Sequence, residues 1–145
     1  MVSPDPSLSD QVRQRAAAIL AAYPALSLGG QRAMLTLFDD RRFVPHPVYF
    51  AFDAEPLQPG EFGYSAKLAE NPAEGYVLYL HPRFRGRDAA VTRLAAYQLV
   101  IPIWDGAAGP AEAELFGAIL HGLEVDEYYQ QVCALADELA PEAAP

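Results

Sequence analysis

"LAAYQLVIP", residues 94–102, decides how the rest of this chain is read. It continues DAAVTR in a run that is apolar nearly all round, and it should stop at Pro102, because proline disfavours a helical conformation in the residue before it. The pattern predicts a helix over 88–101 with hydrophobes on most of its circumference, as in a helix buried in a core rather than laid on a surface. Its middle carries Tyr97 and Gln98, and a buried amide needs a hydrogen-bond partner.

Upstream the hydrophobic period is 2 instead of about 3.6. HPVYFAFD (46–53), EFGYSAKL (61–68) and GYVLYLHP (75–82) read as strands. The second places Phe62, Tyr64, Ala66 and Leu68 on one face and Glu61, Gly63, Ser65 and Lys67 on the other, so one side of it should be wet. The third is apolar on both faces and should be central or covered, and ENPAEG between these two supplies turn residues for a hairpin. Further upstream, Val12, Ala16, Ile19, Leu20 and Tyr23 recur at helical spacing behind capping candidates Ser7 and Ser9, which predicts a helix over 8–23 stopped by Pro24. A second, over 30–41, follows Gly29-Gly30 with Met34, Leu37 and Phe38 on one face. Downstream, Pro110 with Glu112 and Glu114 in the first turn opens a helix over 110–121. Tyr128, Val132, Leu135, Ala136 and Leu139 then form the stripe of a last helix over 126–140. The expected fold class is α+β, a small antiparallel sheet of about three strands packed with about five helices. Residues 1–6 are expected to be a flexible leader, 7–140 a single globular domain and 141–145 a flexible tail.

Composition narrows the function classes. A chain of 145 residues, 52% hydrophobic, suits one core. Cys133 is the only cysteine, so no intramolecular disulfide or cysteine-based zinc cage is expected, and no apolar run approaches the roughly 20 residues that span a bilayer. A soluble, cytoplasmic protein is expected. All 10 basic side chains lie at or before Arg93, whereas nine of the 19 acids fall from Asp105 onward. Such a field repels phosphate backbones and anionic lipid, which argues against nucleic acid and membrane and favours a protein partner of basic character. The plainer reading is that an acidic surface keeps the chain soluble.

The order of elements carries a resemblance. A strand running into YVLYLHPRF, a buried helix, then a helix opening with EAELFGAIL resembles the minimal zincin metallopeptidases of the SprT-like and ImmA-like families over roughly residues 43–121. Glu112, Ala113, Phe116, Ala118 and Leu120 fit the phrase in which ImmA-like members supply a glutamate ligand. The resemblance implies an H-E-x-x-H slot at Tyr97, Gln98, Leu99, Val100 and Ile101. In that motif two histidines one turn apart hold zinc and the glutamate activates the metal-bound water. Here both ligands and the base are replaced, and only Glu112 survives. The resemblance therefore implies a vestigial pocket of Tyr97, Gln98 and Glu112, with the helices over 88–101 and 110–121 face to face and Gln98 near Glu112.

Other chemistry stays open. His46, His81 and His121 follow no ligand spacing, and a metal site would have to be rebuilt from His81, Glu112 and His121. Arg83, Arg85 and Arg87 cluster in one loop after the third strand, with Arg93 in the following helix. They form a candidate anion-binding loop, or they stitch the fold to the acidic C-terminal helices. Ser65 and Cys133 lack a nucleophile motif, and Gly29-Gly30 is too short for a phosphate loop, so no cofactor is expected. Three functions remain: a non-catalytic protein-binding or regulatory domain with a zincin-like layout and an acidic C-terminal face; a small enzyme with its site near Glu112, His81 and His121; and an acidic inhibitor or immunity-type protein that neutralises a basic partner. The first is preferred, with oligomeric state open.

Overall fold

The computed structural model describes residues 7–139. The expected leader and tail, and residue 140 of the last expected helix, lie outside them. The fold is α+β, with five α-helices and a three-stranded sheet among the described residues.

Helix α1 (Leu8–Ala22) starts where Ser7 Oγ accepts the Asp10 N–H at 3.1 Å, and it ends ahead of the Pro24–Leu28 3₁₀ turn. Helix α2 (Gln31–Phe38) buries Met34, Leu37 and Phe38. It stops short of the expected residue 41 because the Asp40 carboxylate accepts both the backbone N–H and the guanidinium of Arg42, which closes a turn in place of another helical turn.

Strands β1 (Val48–Phe52), β2 (Gly63–Lys67) and β3 (Tyr76–Leu80) follow. The order is β1-β3-β2, with β2 antiparallel to β3 as expected for the hairpin. β1, however, pairs parallel with β3, so the sheet is mixed and not wholly antiparallel. The reason is the two-sided apolar character of β3. It takes the central position, so the chain leaving β1 passes to the far side, returns as β2, and then turns β3 into the gap in the direction of β1.

Helix α3 (Asp88–Ile103) lies across β2 and β3, with Leu94, Ala95, Ala96 and Leu99 fully buried. On its other side packs α4 (Pro110–His121), which is flanked in turn by α1 and α5 (Val125–Asp137). Tyr128 and Val132 anchor α5, and Leu135 and Leu139 are half-buried behind them. Gly117 on α4 admits Tyr128, since a Cβ there would fall 2.0 Å from the ring.

Pro102 does not end α3 at residue 101 but sits inside its last turn. Proline lacks an N–H, so the carbonyl four residues back, that of Gln98, loses its helical donor. The Ser65 hydroxyl of β2 donates to that carbonyl at 3.1 Å. Gly63 lets the strand come close enough, because a Cβ there would lie 2.8 Å from Leu80 Cδ2 and 3.2 Å from Gln98 Cγ. Gly63 and Ser65 are therefore the buried side of β2, and its wet side is the apolar one that carries Tyr64 and Ala66.

The register places two rows on the outer face of the sheet. One is Tyr49, Val77 and Ala66, and the other is Ala51, Tyr79 and Tyr64. No charged residue stands among the six. Tyr49 is 56% exposed, Tyr64 45%, and Leu68 beyond the end of β2 52%.

Ser65→Ala should leave the Gln98 carbonyl buried without a donor and lower stability by about 1–3 kcal/mol in chemical denaturation. In a Pro102→Ala background, where the helix regains its own N–H, the same substitution should cost well under half as much. Equal costs in both backgrounds would show that the serine does not serve that carbonyl.

Candidate functional site

At the slot implied by the zincin resemblance, Tyr97 and Ile101 lie one turn apart on α3 and share a small cleft of about 130 Å³ with Val100, Ala108, Pro110 and Ala113. Among the described residues, no imidazole or carboxylate lines it. Tyr97 packs edge-on against Phe62 at 5.6 Å, and burial, with Glu114 next in effect, pushes its phenol above the ordinary value.

The expected trio of Tyr97, Gln98 and Glu112 does not come together. Helices α3 and α4 do pack, but successive residues of a helix point about 100° apart, so Gln98 turns to the sheet beside Gly63 while Tyr97 faces the start of α4. Gln98 is 8% exposed and its Oε1 is buried without a hydrogen-bond partner among the described residues. Glu112 Oε1 instead accepts the Gly109 N–H at 3.2 Å and caps its own helix.

His81, Glu112 and His121 are also separately engaged. His81 Nδ1 accepts the Arg83 N–H at 3.1 Å, within the 3₁₀ turn that follows β3. His121, 5% exposed, bonds the Gly117 carbonyl through Nδ1 at 2.7 Å and stacks on Tyr128 at 5.5 Å. Its Nε2 is buried without a partner among the described residues, and burial pulls its pKa from 6.5 down to about 4, with the charge of Arg93 acting in the same direction. Among the described residues, no three His, Cys, Asp or Glu side chains gather where they could hold a metal ion.

The arginine loop is divided. Arg87 forms a two-pronged pair with Glu138 of the α5 terminus at 2.7 and 3.0 Å, and Arg83 reaches the same carboxylate at 3.3 Å. The glutamate is held down at about 2 by these partners, Arg87 first. Arg85 lies over the Phe52 ring at 5.2 Å, and Arg93 donates to Gln131 on α5. Between them runs a groove of about 470 Å³, lined by Arg87, Asp88, Arg93, Gln131 and Leu135 among others. Two of the three loop arginines are thus bound to an α5 carboxylate and the third covers a ring.

The acids after Trp104 divide in the same way. Asp105, in the left-handed region at φ 47°, accepts from Tyr76 and pairs with Lys67 at 3.3 Å, and its carboxyl is held below the ordinary value chiefly by that tyrosine. Glu112 and Glu138 are engaged as above, whereas Glu124, Asp126, Glu127 and Asp137 are exposed. Sequence reasoning missed two features: the Tyr76–Asp105–Lys67 group and the bare outer face of the sheet. The signal for the second lay in β2, where Gly63 and Ser65 are the small residues of the alternation, and small size marks the side a helix approaches as surely as polarity marks the side facing water.

No helix among the described residues is long and apolar enough to cross a membrane. The chain matches no protein-family model, no curated protein and no solved structure.

His121 sets an expected pH dependence. Folding lowers its pKa from 6.5 to about 4, so the unfolded chain takes up the proton first; stability is full above 6.5 and falls by roughly 3 kcal/mol as pH drops toward about 4. Glu138, lowered from 4.5 to about 2, withdraws its own contribution from about pH 4.5 downward, so the fall between 6.5 and 4.5 reports the histidine. Urea titrations at stepped pH should show the loss in the native protein, and His121→Gln should flatten it. A profile unchanged by His121→Gln would remove the histidine as its cause.

Proposed function

We propose that this chain is a non-catalytic protein-binding or regulatory domain with a zincin-like layout and an acidic C-terminal face. The observation that supports this most is the outer face of the sheet, two rows without a charge and with Tyr49 and Tyr64 about half exposed. Apolar rows of this kind are ordinarily covered in a monomeric protein, and uncovered ones mark interaction sites. Tyrosine suits the role because it brings large, stiff, amphipathic area with a hydrogen-bonding tip.

The apolar cleft at Tyr97 and Ile101 favours the non-catalytic half of this reading, since neither side chain is a usual zinc ligand. The separate engagements of His81, Glu112 and His121 weigh against an enzyme built from them. Cys133 is a free, half-buried thiol, which suits a reducing compartment such as the cytoplasm. The exposed acids of α5 would add a field that draws a basic partner in.

A photo-crosslinking phenylalanine analogue placed at Tyr64 or Tyr49, in cells that make the protein, should yield one discrete heavier protein adduct. The same analogue at exposed Ala17 on α1 should yield none. An identical adduct pattern from all three positions, or none from the sheet, would overturn the reading. Tyr64→Ser should abolish the adduct formed from position 49 at a stability cost of no more than about 1 kcal/mol.

A further inference from the structure

Building on the protein-binding reading, we infer that the occupant of the outer sheet face is an extended Lys/Arg-rich segment of a protein partner. The inference rests on what surrounds the tyrosines. At one end of the sheet, the loop from β1 to β2 carries Asp53, Glu55 and Glu61; at the other, the turn from β2 to β3 carries Glu70 and Glu74. Among the described residues none of the five takes part in an ion pair. Asp53 and Glu61 only accept backbone N–H groups of their own loop, from Glu55 and Gln58. The nearby cations are already engaged, Lys67 with Asp105 and Arg85 on the Phe52 ring.

The face is therefore an uncharged aromatic platform between two acidic ends. The faces of Tyr49, Tyr64 and Tyr79 attract ammonium and guanidinium groups, and the acids at each end attract the same groups at longer range. Elsewhere this chain uses that contact repeatedly within itself, with Arg15 over Trp104, Arg42 over Phe43 and Arg87 over Phe84. On the outer sheet face no cation lies over a ring among the described residues.

The same charges disfavour other occupants. Aromatic sheet faces can stack nucleic-acid bases, but a phosphate backbone would meet five carboxylates, with the nearby described cations Lys67 and Arg85 already engaged. A second copy would set one acidic rim against another, in a chain of net charge −9.

The test is a titration of the full-length protein with a short Lys/Arg–Ser alternating peptide and with its Glu/Asp–Ser counterpart, followed by calorimetry and by the tyrosine ring resonances. The basic peptide should bind and shift Tyr49, Tyr64 and Tyr79. Affinity should fall at least about tenfold in Tyr49→Ser/Tyr64→Ser, several-fold in Glu70→Gln/Glu74→Gln, and several-fold between about 0.05 M and about 0.5 M salt. The acidic peptide should not bind. Undiminished binding by the tyrosine variant, or binding lost only in Glu124→Gln/Asp126→Asn/Glu127→Gln, would move the site to α5 and overturn the inference. So would sedimentation of a dimer that the tyrosine variant dissolves. Failure of the basic peptide while the sheet positions still crosslink a partner would overturn the basic chemistry and leave the protein-binding reading standing; failure of both would remove both.

Discussion

The bond from the Ser65 hydroxyl to the Gln98 carbonyl is the constraint on which the orientation of the sheet depends. It exists because Pro102 sits one turn later in α3 and cannot donate. A buried carbonyl without a donor is costly, so the strand facing that point of the helix must offer a hydroxyl, and it must be slender enough to come close. Gly63 and Ser65 meet both demands. With those residues turned inward, the two-residue period of the strand leaves Tyr64 and Ala66 nowhere to go but outward. A defect in the central helix is thus repaired from the sheet, and the repair is what bares an aromatic surface.

The groups that could have done chemistry are, one after another, engaged in holding the fold. Glu112 closes its own helix, His121 fills the space between α4 and α5, and Glu138 binds two arginines across the junction of α3 and α5. Where a reactive site depends on titratable groups converging on one point, these diverge to separate structural partners. The surface offers breadth instead: a sheet face, an acidic rim and an acidic last helix.

Much of the architecture was legible in the sequence. The apolar circumference of α3, the cap at Ser7 and proline at the head of α4 placed the helices, and the two-sided character of β3 made it central. The parallel pairing of β1 was not legible, because alternation fixes which side chains share a face and says nothing about which neighbour a strand joins or in which direction. Which side of β2 faces the helix was hidden for a related reason: hydropathy ranks Tyr64 and Ala66 above Gly63 and Ser65, whereas close approach of a helix selects for smallness. Adjacent positions such as 97 and 98 look like a pair in the sequence, yet the helix turns them about 100° apart, so Tyr97 meets Phe62 and the start of α4 while Gln98 meets Gly63 of β2.

The mixed sheet also dictates an order of assembly. β2 and β3 are joined by a short turn and can pair as soon as both exist, but β1 has no neighbour until β3 has been inserted. Made first by the ribosome, β1 must wait through the synthesis of a loop, a strand and a turn before its partner emerges. During that wait Val48, Phe50 and Phe52 form an unpaired apolar ribbon. The prolines that bracket it, Pro45 and Pro47 ahead and Pro56 and Pro59 behind, are poor recruits to a foreign sheet, which would keep the nascent segment from extending its pairing in either direction.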